Sequence, residues 1–102
     1  MIAISRFRVP ASAADAFLAR AEAGASFYRT RPGCVFAVVQ RNLDEPDLWA
    51  LVSHWENVGS YRRAYNGYEA KVVLTPLMTE AIDEPGAYDD PAEAGENVPR
   101  SR

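Results

Sequence analysis

The 102-residue sequence contains few of the residues and segments on which several common classes of protein depend. It has one cysteine, Cys34, so no disulfide can form within the chain, and one histidine, His54. No apolar run approaches the roughly 18 residues of a membrane-spanning helix, and residues 1–10 lack the apolar stretch of a secretory signal. These absences predict a cytoplasmic protein that has no membrane segment.

Positive charge is also scarce. The net charge is −3: residues 1–82 carry nine basic and eight acidic side chains, and residues 83–102 carry two and six. Without a basic stripe, the sequence does not predict nucleic-acid binding. It also has no cluster with metal-ligand spacing, no glycine-rich phosphate loop and no Gly-x-Ser-x-Gly motif, so we expect no metal and no bound cofactor.

Hydrophobic periodicity predicts the elements of the first half of the chain. Residues 2–9 alternate as a strand does, and Pro10 ends the alternation. Ser12 and Asp15 then resemble a capping box at the start of a helix that runs to about residue 30. Two β-branched and aromatic runs, residues 34–42 and 48–56, flank a polar turn and predict a central hairpin.

The second half of the chain contains shorter elements. Asn57 can cap a helix that Gly67 can close, and residues 69–78 continue as a helix that bends or restarts at Pro76. Residues 82–90 predict a short edge strand, because Pro85 cannot donate a ladder hydrogen bond. Residues 91–102, rich in Pro, Ala, Gly and charge, are interpreted as an acidic and polar tail that is mobile or docks on a partner.

The order β-α-β-β-α-β predicts a ferredoxin-like α+β domain over residues 1–90, with a four-stranded antiparallel sheet and both helices on one face. On the strand after Gly33, Ala37 and Val39 alternate with Phe36 and Val38, so both faces of this strand are apolar. The uncovered face of the sheet therefore needs a partner, and a second copy of the chain would supply it. We expect a homodimer through the sheet face.

Three features together resemble the antibiotic biosynthesis monooxygenase family over residues 1 to about 90: the element order, the Arg-Pro-Gly-Cys turn at residues 31–34, and the segment Leu-Val-Ser-His-Trp-Glu at 51–56 followed by Ser-Tyr-Arg at 60–62. The resemblance implies a dimeric α/β barrel. Members of this family oxygenate polycyclic phenols or quinols without metal or flavin, and some degrade haem.

Two active sites of the family can be compared with this chain. The haem-degrading members share a tryptophan at the position of Trp55, but they have an asparagine where this chain has Ser5 and a histidine on the following helix, where this chain has none. Haem degradation is therefore disfavoured. The polyketide-oxygenating members have a tryptophan followed six residues later by a tyrosine, which Trp55 and Tyr61 match, but Leu51 replaces their asparagine.

Cofactor-free oxygenation requires a pocket that promotes deprotonation of an electron-rich substrate, holds the charge and excludes water. We expect Trp55 and Tyr61 to act as the catalytic hydrogen-bond donors, in an aromatic cleft between the sheet and the helices. Strand alternation and helical spacing predict the side chains that shape this substrate pocket: Ser5, Phe7, Tyr28, Trp49, Leu51, Ser53 and Tyr65. The substrates would be O₂ and an aromatic, quinol-type or polyketide-like small molecule.

Each of these residues also has a structural interpretation, because aromatic side chains at these positions often belong to the core. His54 is expected on the dimer side of the sheet, Cys34 as a small buried hydrophobe, and Arg62 and Arg63 as a solvated helix face, although an arginine at the cleft mouth could hold an acidic substrate. The alternative function is a non-catalytic dimeric module that binds a small hydrophobic ligand or serves assembly, and the Leu51 and Ser5 replacements favour it.

Overall fold

The computed structural model describes residues 1–96 of the chain. Four antiparallel strands form one sheet in the order β2-β3-β1-β4. The elements are β1 Ile2–Arg8, a 3₁₀ turn Ala11–Ala13, α1 Ala14–Arg29, β2 Cys34–Arg41, β3 Leu48–Trp55, α2 Val58–Arg63, α3 Tyr68–Val73, α4 Thr75–Met78, β4 Ala87–Tyr88 and α5 Pro91–Glu96. The helices lie on one face of the sheet, and the predicted ferredoxin-like α+β fold is confirmed.

The two central strands, β1 and β3, determine which side chains face the helices. Their register pairs Ala3 with Ser53 and Phe7 with Trp49, and these four side chains are buried. Because successive side chains on a strand point to opposite faces, Ser5 and Leu51 share this inner face, whereas Ile4 and Val52 lie on the open face of the sheet. The alternation in the sequence therefore assigned the inner face of both strands correctly.

Helix α1 covers the inner face with an unusually small set of side chains at its centre. Ala21, Gly24 and Ala25 are buried between the larger Phe17 and Tyr28. A Cβ atom added to Gly24 would approach Leu77 Cδ2 to 2.9 Å, so the Leu77 side chain would have to move to admit it. Small residues thus allow α1 to pack closely against α4.

Local signals around the second group of helices are confirmed with one exception. The Asn57 side chain accepts a hydrogen bond from the backbone N–H of Ser60 at 2.8 Å, which caps α2. Gly67 has the expected positive φ, 94°, which other residues rarely adopt. Contrary to the prediction, it does not close α2, because α2 ends at Arg63 and Gly67 precedes α3. Helix α4 restarts with Pro76 in its first turn, where the missing N–H costs no helical hydrogen bond.

Three details at element ends differ from the prediction. Ser12 caps no helix: it lies inside the 3₁₀ turn, and α1 begins at Ala14 without a side-chain cap. The last strand is two residues long instead of nine, because the chain before Ala87 contacts β1 at separate points only. The start of the predicted tail, Pro91–Glu96, is helical, and residues 97–102 lie outside the described part of the chain.

Two negative findings apply to residues 1–96. None of the helices there is long and apolar enough to cross a membrane. The same residues contain no group of three or more histidine, cysteine, aspartate or glutamate side chains that could hold a metal ion.

Candidate active site

A cavity of about 590 Å³ lies where the edge of the sheet meets the helices. Strand β1 forms its floor, the region of α2 and the turn after it forms one wall, and residues 78–87 form the opposite wall. The cavity is lined by Ile4, Ser5, Tyr61, Tyr65, Met78, Thr79, Ala81, Ile82, Asp83, Glu84, Gly86 and Ala87. Its volume is within the range of small-molecule sites.

The wall formed by residues 79–87 is held against β1 by backbone and side-chain contacts. Ile82 N–H donates to the Arg6 carbonyl at 2.8 Å, and Ile4 N–H donates to the Gly86 carbonyl at 2.7 Å. A Cβ atom at Gly86 would lie 2.6 Å from the Ile4 carbonyl oxygen. Only glycine permits this close approach of the two backbones, so Gly86 sets the width of the cavity.

A bidentate ion pair also fixes this wall. The Arg6 guanidinium donates to both carboxylate oxygens of Glu84, at 2.6 and 2.7 Å. The hydrogen bonds from Arg6 lower the pKa of Glu84 below its ordinary value. The Glu84 carboxylate is therefore already neutralised by its partner and is a poor candidate for proton transfer.

Asp83, next to Glu84, has a different environment. It lines the cavity and forms no hydrogen bond or ion pair with any other residue in the described range 1–96. It is thus a carboxylate at the cavity without a cationic partner. The sequence-based prediction missed this residue because an acidic pair beside Pro85 is typical of a solvated loop.

Two tyrosines, Tyr61 and Tyr65, form the polar part of the other wall, the one made by α2 and the turn after it. Their rings are packed edge to face with centroids 5.5 Å apart, and the hydroxyl of Tyr65 is hydrogen-bonded to the hydroxyl of Tyr28. Tyr28 itself is fully buried beneath them and does not line the cavity. Burial raises the pKa of both Tyr28 and Tyr65 well above the ordinary tyrosine value, so these phenols stay protonated at neutral pH and serve as hydrogen-bonding groups.

Trp55 lies behind this wall and has no contact with solvent. Its ring packs edge to face on Tyr28 at 5.2 Å and against Tyr61 at 5.8 Å between centroids. The indole N–H donates to Ser53 Oγ at 2.8 Å. In this arrangement the N–H group of Trp55 is already satisfied within the protein, and Trp55 supports the two tyrosines from behind.

The structure therefore brings three of the nine predicted site residues to one cavity: Ser5, Tyr61 and Tyr65. Trp55, Tyr28 and Ser53 form the layer behind it. Phe7, Trp49 and Leu51 lie within the hydrophobic core, where Phe17 packs between the Phe7 and Trp49 rings at 5.0 and 5.7 Å.

Two other residues that the sequence singled out lie away from this cavity. His54 is on the open face of the sheet, as predicted, with its ring 5.6 Å from that of Phe36. Cys34 is partly buried against the core, and burial raises the pKa of its thiol while Arg29 acts in the opposite direction. A thiol whose pKa is raised is a weaker nucleophile at neutral pH, which agrees with a packing role.

The open face of the sheet is mostly apolar. Cross-strand rows place Ile4, Val52 and Val38 side by side, with Ile2, His54 and Phe36 in the next row. Phe36 and Tyr88 on this face are 42% and 55% exposed. The four helices between β1 and β4 lie on the other face and leave this surface uncovered.

Comparison with known proteins agrees with this fold. A sequence profile of the antibiotic biosynthesis monooxygenase family matches residues 1–71. No curated protein sequence matches the chain significantly. Solved structures with the same fold include a conserved protein from Methanosarcina mazei Go1, with a TM-score of 0.69, 17% identity and 84% of each chain covered.

Two further similar structures carry a functional description. The cofactor-independent oxygenase SnoaB from Streptomyces nogalater, solved as a mutant, has a TM-score of 0.67 and 22% identity, with 79% of this chain and 82% of that chain covered. A Deinococcus radiodurans protein, described as a candidate antibiotic biosynthesis monooxygenase, has a TM-score of 0.68 and 19% identity, with 87% and 95% covered. At these identities the similarity establishes the fold.

Proposed function

Because this chain belongs to the antibiotic biosynthesis monooxygenase family, we propose that it inserts one oxygen atom of O₂ into an aromatic, quinol-type or polyketide-like phenol without a bound metal or flavin. The observation that carries the proposal is the cavity of about 590 Å³, whose lining includes two tyrosines and a carboxylate, Asp83, that has no partner among residues 1–96. Apolar side chains such as Met78 and Ile82 complete a site suited to a flat aromatic molecule.

The overall reaction needs no external reductant. When a phenol is converted to a quinone, a ring C–H and the phenolic O–H are lost, one oxygen atom becomes the new carbonyl, and the other leaves as water. The substrate supplies all the electrons that O₂ takes up. The protein must therefore remove a proton from the phenol, hold the resulting charge and exclude bulk water.

The cavity residues divide these tasks between its two walls. Asp83 accepts the substrate proton, since Glu84 is committed to Arg6. The hydroxyls of Tyr61 and Tyr65, with that of Ser5, hydrogen-bond to the developing oxyanion. We assign Trp55, predicted as a direct donor, a positioning role instead, because its ring holds Tyr61 and Tyr28 while its N–H is bound to Ser53.

The test of this function is oxygen uptake by the purified protein over a panel of quinols and polyhydroxylated aromatics. Protein-dependent uptake is expected with at least one compound. Asp83→Asn should lower kcat by about 10²-fold or more, the range for loss of a general base, and should change the pH profile. Asp44→Asn is the matched control, because Asp44 is an exposed carboxylate in the β2–β3 turn, away from the cavity.

Tyr61→Phe tests the oxyanion donor separately. It removes one hydroxyl and preserves the ring that packs on Trp55 and Tyr65, so stability should change little while kcat falls. If no compound supports uptake but one binds tightly, the non-catalytic ligand-binding module becomes the better description. The burial of Leu51 in the core, where polyketide-oxygenating members have an asparagine, is the observation that favours this second candidate.

We also propose that a second copy of the chain covers the open sheet face. An apolar sheet surface of this extent is rare on monomeric proteins, and a two-fold dimer buries the same patch on both copies. Val52→Lys, at the centre of this face, should yield monomers by sedimentation velocity. Val72→Lys is the control, because Val72 is an exposed valine on α3 on the helical side. A cytoplasmic location completes the proposal.

A further inference from the structure

A second cavity, of about 250 Å³, lies between the end of α1 and helix α2. We call it the Arg31 cavity; its lining consists of Arg31, Pro32, Ser60, Arg63, Ala64 and Asn66. Ser60 and Arg63 lie about 60° apart around α2, whereas Tyr61 is turned about 100° from Ser60. The Arg31 cavity is therefore distinct from the candidate active site, and α2 separates the two.

The charged groups that line the Arg31 cavity are all positive. Its lining includes the guanidinium groups of Arg31 and Arg63 and the amide of Asn66, but no carboxylate. Elsewhere in the described chain, Arg6, Arg8 and Arg20 each form an ion pair with an acidic side chain. Arg31 and Arg63 form no ion pair with any residue in the range 1–96. Two like charges around one small cavity repel each other, and an anion between them would remove that cost.

Each of the two arginines also has one contact within the protein that restricts its orientation before any ligand arrives. The Arg31 guanidinium stacks over the Phe27 ring at 5.3 Å. Arg63 Nη2 donates to Ser60 Oγ at 3.4 Å. Fixing the donors in advance reduces the entropy that a ligand must lose on binding.

Ser60 adds a buried donor to this set. The residue is only 5% exposed, its backbone N–H is bound to the cap residue Asn57, and its oxygen accepts from Arg63. Among residues 1–96, the Ser60 hydroxyl accepts this bond but donates none. A buried hydroxyl without an acceptor is costly, and a ligand oxygen in the Arg31 cavity would supply one.

From these contacts we infer that the Arg31 cavity binds a small oxyanion, a phosphate or carboxylate group, between Arg31 and Arg63. Guanidinium groups bind both oxyanions through paired hydrogen bonds, and the cavity has less than half the volume of the candidate active site. The ligand would be an anionic group or a small metabolite that carries one. Arg63, which the sequence assigned to a solvated helix face, becomes a binding residue in this inference.

Binding would have a consequence for the neighbouring site. An anion held by Arg31 at the end of α1 and by Arg63 at the end of α2 links the two helices. Helix α2 is only six residues long and carries Tyr61 into the candidate active site. A ligand that binds only the folded arrangement stabilises it by mass action.

The experiment is calorimetric titration of the protein with inorganic phosphate and, separately, with acetate, at an ionic strength held constant with sodium chloride. At least one anion should give saturable binding at one site per chain. Arg63→Gln and Arg31→Gln should each weaken that binding about tenfold or more, as expected for loss of a charge-assisted hydrogen-bonding group. The anion that binds more tightly identifies the ligand class as phosphate-bearing or carboxylate-bearing.

The matched control is Arg62→Gln, on the same helix and next in sequence. Arg62 and Arg63 are both exposed, but only Arg63 lines the cavity, so loss of Arg62 should change the affinity by less than about twofold. Both variants carry the same net charge. Equal weakening by Arg62→Gln and Arg63→Gln would show a diffuse charge effect and overturn the inference. Absence of saturable binding with both anions would also overturn it, whether or not the protein consumes oxygen.

Discussion

The hydrogen bond between Trp55 and Ser53 offers a quantitative test of the packing behind the candidate active site. Ser53→Ala removes the hydroxyl that accepts the indole N–H at 2.8 Å. Trp55 has no exposed surface and Ser53 is 1% exposed, so water cannot replace the lost acceptor. The variant thus leaves a buried donor unsatisfied, which costs about 1–3 kcal/mol.

A loss of about 2 kcal/mol in the free energy of unfolding corresponds to a Tm decrease of about 8–16 °C for a domain of this size. The measurement is thermal unfolding by circular dichroism, at one protein concentration for every variant because an oligomer's Tm depends on concentration. Ser12→Ala is the control: Ser12 is exposed in the 3₁₀ turn, so its loss should change the free energy of unfolding by less than about 0.5 kcal/mol.

The double variant Ser53→Ala/Trp55→Phe separates the orphaned donor from other effects. Phenylalanine has no N–H, so Ser53→Ala should cost clearly less in the Trp55→Phe background than in the native protein. An equal cost in both backgrounds, or a cost no larger than that of Ser12→Ala, would refute the reasoning. The indole N–H of Trp55 would then not depend on Ser53 as its acceptor.

Two other predictions concern the walls of the cavity. Gly86→Ala should lower the free energy of unfolding by about 1–3 kcal/mol and weaken ligand binding. The reason is that the new Cβ would lie 2.6 Å from the Ile4 carbonyl oxygen and push the wall away from β1. Unchanged Tm and ligand affinity would contradict this prediction. In an ultraviolet titration, Tyr28 and Tyr65 should remain protonated above the ordinary tyrosine pKa, because burial raises the pKa of both. The unfolded chain releases these two protons at lower pH than the folded protein, so the free energy of unfolding should fall as the pH rises above the ordinary tyrosine pKa. Titration of all five tyrosines in one step, before unfolding, would contradict the burial argument.

Much of the architecture follows from local patterns in the sequence. The alternation in residues 2–9 and 48–56 assigned the inner faces of β1 and β3, and Asn57 and Gly67 marked the boundaries of the second group of helices. These signals are local, because periodicity and turn chemistry depend on neighbours in sequence. The prediction that Ser12 caps α1 was wrong, because the chain after Pro10 forms a 3₁₀ turn before α1 begins.

The candidate site was less predictable. Tyr61 and Tyr65 line the cavity, but Phe7, Trp49 and Leu51 do not, although they share the inner sheet face with Ser5. Sequence alternation reports which face a side chain occupies, and it does not report whether a helix covers that part of the face. A side chain on the inner face belongs to the core where helices cover it and lines the cavity where it lies near the open edge of the helical layer.

The sequence alone determined the βαββαβ order and the inner and outer faces of the strands. It also placed Trp55 at the end of β3 and Tyr61 on the helix that follows. The tertiary structure alone decided that residues 79–87 close the cavity and that Arg31 and Arg63 meet around a second one. Both sites join segments that are far apart in the chain. Such meetings depend on the angles at which helices pack on the sheet, and no local pattern of residues encodes them.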